Sequence, residues 1–204
     1  LSFLGDKNIP DYEQRAALEN LAFFVNDSDK KTKAFLKNIF EKSEDKELSK
    51  TANSLLISVY KDEDSINWRF VQLKTPIEFD RRKIEGIEHS VGSEEIELDS
   101  LAFAKPLIEL QDDKYLPKFF DLLSYSFKVI GEKRDKKYWD YVNYLWRIVI
   151  AFVENLKEKG SFKPLLTLEK WVSKNATDEN SNWLNARINE LRKVYINSIG
   201  KTNP

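Results

Sequence analysis

The sequence predicts an all-α chain, built as a solenoid of stacked antiparallel helical hairpins with about eight or nine helices. Three observations lead there. Apolar residues recur at helical spacing in almost every segment. The helix opening DYEQRAALENLAFF of residues 11–24 is echoed by DKELSKTANSLL, which starts 34 residues after Asp11. The prolines fall where helices start or stop. A single helical hairpin cannot bury its own apolar face, so a repeat of this length stacks on the next and a core runs through the stack.

In order along the chain, residues 11–25 carry the stripe Ala17, Leu18, Leu21 and Val25. Residues 30–42 pair Phe35 with Ile39 and Leu36 with Phe40. Residues 45–60 place Leu48, Ala52, Leu55 and Val59 on one face, and 63–74 do the same with Ile66, Phe70 and Leu73. Asp11 and Asp45 are suited to cap their helices, because a carboxylate oxygen accepts the orphan N–H groups of a first turn. Pro76 should end the fourth segment near Lys74. Pro10, Pro117 and Pro164 each sit in the first turn of an expected helix, where no intrahelical N–H bond is lost. Pro106 would break a helix over 100–111, so a kink or two short pieces is expected there.

The chain is organised in three parts: hairpins over 1–75, an irregular charged connection over 76–99, and longer, aromatic-rich hairpins of the same array over 100–204. The connection holds two glycines, eight acidic residues and the triplet Arg81-Arg82-Lys83, with no long stripe. A stretch of that length inside a compact domain is uncommon without some order of its own, so a short helix is a fair expectation. Later helices are expected over about 114–131, 135–158, 162–174 and 179–197. The second of these is apolar nearly all round its middle, so neighbours should cover it on several sides. The last carries Leu184, Ile188, Leu191 and Tyr195 on one narrow face.

Totals set the class. Of 204 residues, 41% are hydrophobic and 33% charged, a globular and well-solvated composition. The 33 basic and 34 acidic side chains nearly cancel, which removes the footprint of a general DNA-binding domain. With no cysteine, disulfides, thiolate zinc sites and a cysteine nucleophile are excluded. The most apolar run, YLWRIVIAFV at 144–153, is interrupted by Arg147 and is half of the roughly 20 residues a membrane span needs. Asn26 and Asn175 lie in N-x-S/T sequons, but no secretory signal accompanies them. The absence of methionine reads as a segment of a longer protein.

IPDYEQRAALENL resembles the first helix of a HEAT-type (HEAT/armadillo-like) repeat, and KDEDSINWRFVQL resembles a second one. PLIELQDDKYLPKFFDLLSYSF, YWDYVNYLWRIV and NWLNARINELRKVY resemble the C-terminal helical repeats of large bacterial multidomain ATP-binding proteins of the NACHT/STAND kind. That resemblance implies a non-catalytic sensing or scaffolding array in the cytoplasm. The partner would be another protein or another domain of the same chain. The nucleotide site of such a protein would lie elsewhere, since no G-x-x-x-x-G-K-[ST] loop occurs here.

No residue stands out as catalytic and no cofactor is implied. His89, the one histidine, sits in the polar context GIEHSVG, where a surface role is the simpler reading. Glu94, Glu95, Glu97 and Asp99 lack the spacing of a calcium loop, so no metal site is expected. Binding candidates are Trp68 with Arg69 and Trp183 with Arg187, an indole near a guanidinium in each half. Each pair either offers a stacking platform to a partner or packs its indole between hairpins while the arginine bridges to an acid. Arg81, Arg82 and Lys83 could meet phosphate, although Asp80, Glu85 and Glu88 surround them. Arg147 should pair with a carboxylate or snorkel, and Trp139, Tyr141 and Tyr144 should be core. The resulting expectation is a protein-interaction scaffold, with a nucleic-acid-binding array as the alternative and no membrane partner.

Overall fold

The computed structural model describes residues 9–74, 101–132, 137–176 and 178–199. The charged connection, Arg81, Arg82, Lys83, His89 and the acidic run of 94–99 lie outside these. Every regular element among the described residues is helical. They are α1 (Asp11–Leu21), α2 (Lys30–Lys42), α3 (Lys46–Ser58), α4 (Glu63–Lys74), α5 (Lys105–Ile108), α6 (Leu116–Glu132), α7 (Lys137–Asn155), α8 (Lys163–Asn175) and α9 (Asp178–Ile199). Short 3-10 turns at Asp113–Tyr115 and Leu156–Lys159 lead into α6 and out of α7. The chain divides into two compact units, Leu1–Arg69 and Phe70–Pro204, so the division falls inside α4.

In the first unit α3 is the central helix, packed by α1 and by α2. Leu18, Leu36, Leu48, Ala52, Leu55 and Leu56 form its core. Asp45 caps α3 as expected, accepting the Glu47 N–H at 2.8 Å. Asp11 does not cap α1. It is the first helical residue, and Pro10, which has no side-chain acceptor, holds the capping position. The stripe also ends early, since α1 closes at Leu21 and a tight turn carries Phe23 and Phe24 into the solvent.

Two aspartates that the sequence reading did not single out cap other helices. Asp29 accepts the Thr32 N–H at 3.0 Å and its hydroxyl at 2.6 Å, which starts α2. Asp62 accepts the Ser65 N–H and hydroxyl, each at 3.1 Å, which starts α4. The chain reaches Asp62 through Lys61, whose φ of 49° lies in the left-handed region usually left to glycine. The Lys61 N–H bonds back to Ile57 O and the Asp62 N–H to Leu56 O, closing the end of α3.

In the second unit α7 is covered by α5, α6, α8 and α9. Leu145, Ile148, Val149, Phe152 and Val153 of α7 are fully buried, and each contributes about 1.5–3 kcal/mol on leaving water. Phe119 stacks on Phe152 with ring centres 3.8 Å apart, and Phe70 meets Phe119 edge-on at 5.0 Å. A second aromatic series runs Trp183, Trp146, Phe127, Trp171 and Phe120, with adjacent centres 5.2–6.0 Å apart. Pro106 stands in the first turn of the four-residue α5, which follows a turn at residues 102–104 after the helical Leu101, so no single helix runs through the described residues 101–111. Pro164 stands in the first turn of α8. Gly160, at φ +68°, lets the chain reverse after α7.

Candidate functional site

In the second unit a cleft of about 300 Å³ runs along α7 and α9. Helical periodicity builds both walls. Arg147, Ile150, Ala151 and Glu154 recur at i, i+3, i+4 and i+7 on α7. Arg187, Glu190, Leu191 and Val194 repeat that spacing on α9, preceded one turn earlier by Trp183, and Leu101 adds one more apolar side chain.

The polar groups are arranged around the indole. Arg187 Nη1 donates to Glu190 Oε2 at 2.7 Å, and the guanidinium carbon lies 5.4 Å from the centre of the Trp183 ring. Trp183 tilts against Trp146 at 5.2 Å. Trp146 Nε1 donates to Ser126 Oγ at 2.7 Å, and Ser126 Oγ donates to Leu123 O at the same distance. Trp146 Nε1 and Ser126 Oγ thus both have partners, which holds the buried indole of Trp146 in place. Beside Glu154, the Tyr195 hydroxyl donates to Val153 O, and burial, aided by the Glu154 charge, pushes its pKa up to about 12. The cleft therefore offers an apolar and aromatic floor with two guanidinium and two carboxylate groups. That suits an apolar side chain whose neighbours carry charges of both signs.

Trp183 and Arg187 thus come together, the indole against Trp146 of α7 and the arginine paired with Glu190 on its own helix. Trp68 and Arg69, in the first unit, behave differently. Trp68 is half-buried and meets Phe40 edge-on at 5.0 Å. Arg69 is only 1% exposed, and its Nη2 donates to Lys50 O at 3.2 Å and Ser54 Oγ at 3.1 Å, tying α4 to α3. Tyr141 is buried and donates to Leu73 O, Tyr144 is half-buried, and the side chain of Trp139 lies outside the described set.

The sequence reading missed the charged clamp around Asp62, which is 5% exposed. Lys33 and Lys37 of α2 each place Nζ 3.0 Å from its Oδ2. Burial alone would raise this carboxyl, but hydrogen bonds from Lys33, Lys37 and Ser65 outweigh it and hold the pKa at about 2. The same contact with Asp62 raises Lys37. The spacing Lys33–Lys37, one turn on α2, was the only sequence signal for it. Glu154, two turns after Arg147 on the same face of α7, was not singled out in the sequence either.

Among the described residues no group of three or more His, Cys, Asp and Glu side chains is placed to hold a metal ion. No described helix is long and apolar enough to cross a membrane. Compared with family models, curated proteins and solved structures, the chain finds no match.

Proposed function

We propose that this chain is a non-catalytic protein-interaction array, a stack of helical hairpins whose α7–α9 cleft receives an apolar side chain of a protein partner. The observation that carries the reading is the balance of the cleft: Arg147 and Arg187 face it together with Glu154 and Glu190 over an aliphatic and indole floor. A nucleic-acid groove would instead gather one sign of charge along a backbone path. The stacking has its support within each unit. α1 rests on α3 in the first, and in the second α8 and α9 rest on α6 and α7, as first and second helices of successive pairs do in a solenoid. On the HEAT-like and NACHT/STAND-like resemblance, the array would serve as a sensor or scaffold within a larger cytoplasmic protein.

The test is a random peptide library panned on the chain, with labelled single-stranded DNA, duplex DNA and RNA assayed in parallel. Peptides with an apolar residue flanked by charges should be enriched, and Ala151→Trp, which fills the cleft, should abolish the enrichment. Oligonucleotide binding with a steep salt dependence, and no enriched peptide, would replace this reading with the nucleic-acid one.

A further inference from the structure

The turn after α1 holds two adjacent phenylalanines that no described residue of the first unit covers: Phe23 is 83% exposed and Phe24 84%. Neither ring is loose by backbone. The Phe23 N–H bonds to Asn20 O at 3.1 Å and the Phe24 N–H to Leu21 O at 3.0 Å, so a hydrogen-bonded turn presents them. Just beyond, Asn26 Oδ1 accepts the Ser28 N–H at 3.1 Å and its hydroxyl at 2.5 Å, fixing the far side of the turn. A preformed aromatic projection of this kind loses little conformational freedom on docking and is the usual chemistry of an interface anchor.

Resting on the reading of the α7–α9 cleft as a protein-binding site, we propose that its partner is a second copy of this chain, which inserts Phe23 and Phe24. Size agrees. At about 300 Å³ the cleft stands at the lower limit of small-molecule sites, which run to about 1,000 Å³, and suits one or two side chains better than a cofactor or a helix. Charge agrees. Exposed Glu19 and Asp27 bracket the phenylalanines, with Lys30 and Lys31 following on α2, and the cleft carries two guanidinium groups beside two carboxylates. With a formal net charge of −1, two copies have almost no long-range repulsion to overcome. The two surfaces differ, so the contact is heterologous, and copies either close into a ring of two or more or add without limit.

Sedimentation of the full chain over a concentration series tests this. The wild-type weight-average mass should climb above that of the monomer as concentration rises. Phe23→Ser/Phe24→Ser should remain at the monomer mass, as should Ala151→Trp, and Arg187→Glu should weaken association at least tenfold, each with unchanged helical circular dichroism. Mixing Phe23→Ser/Phe24→Ser with Ala151→Trp is decisive. The first retains its cleft and the second its phenylalanines, so the mixture should stop at a heterodimer of twice the 24.0 kDa chain mass. A wild-type chain that stays monomeric, or a mixture that does not pair, overturns the self-association while peptide enrichment at the cleft would still stand. A mixture that grows beyond a dimer also overturns it, because some other surface is then in use.

Discussion

The two units solve the same problem, holding amphipathic helices in register, with different chemistry. In the first, the buried polar residues are Gln14, Thr32, Asn53, Asp62, Ser65 and Arg69, and most of them tie one helix to another or start a helix. In the second, the corresponding set among the described residues is Ser126, and register comes from stacked rings. Hydrogen bonds and ion pairs specify geometry at a modest net gain, because each group first leaves water. Ring packing gains more per residue but needs volume filled without gaps. The first unit should therefore respond to pH and charge, and the second to changes of shape.

The largest effect should come from removing shape. Trp146→Ala should destabilise the second unit by about 3–5 kcal/mol, since it opens a cavity between α6, α7 and α9. Denaturant midpoints for Trp146→Ala and Trp146→Phe measure it. A loss under 1 kcal/mol for the alanine variant would remove the aromatic series as the basis of the comparison.

Next comes charge. A carboxyl held at about 2 and not at the ordinary 3.8 adds on the order of 2 kcal/mol at neutral pH, somewhat less here because both lysines are about a third exposed. As the folded pKa of Asp62 is depressed, this stability is complete above the ordinary value and fades as pH falls from about 5 to below 2. Urea midpoints for wild type and Asp62→Asn should differ at pH 7, draw together as pH falls, and converge below pH 2. A gap that persists in acid would mean that Asp62 acts by packing.

The smallest effect should come from a single cap. Asp29→Ala removes the acceptor for both Thr32 donors and should cost about 1 kcal/mol, read from helical circular dichroism on thermal melting. A fall of the size expected for Trp146→Ala would show that the first unit, too, depends on a few side chains.

Much of the helical layout was legible in the residues. The stripes of α2, α3 and α9, the Asp45 cap and the interruption at Pro106 all follow from period and backbone chemistry, which are local. What escaped was what neighbours decide. Trp68 and Arg69 are adjacent in sequence but about 100° apart around a helix, so one stays half-exposed while the other turns into the contact with α3. Asp11 looked like a cap because the rule is blind to which residue begins the turn, and Pro10 had taken that place. Arg147, Trp183 and Arg187 were each singled out, but the cleft they share forms only when α7 and α9 pack together. Single residues carry no signal for that meeting.

The distribution of indoles has a practical consequence. Of the five tryptophans, Trp68 alone belongs to the first unit, while Trp139, Trp146, Trp171 and Trp183 belong to the second. Intrinsic emission during a melt will thus be an almost one-sided witness. Should the two halves come apart at different temperatures, an ellipticity trace will record both events where the emission trace records mainly one, and the mismatch will date the quieter half's departure without any label.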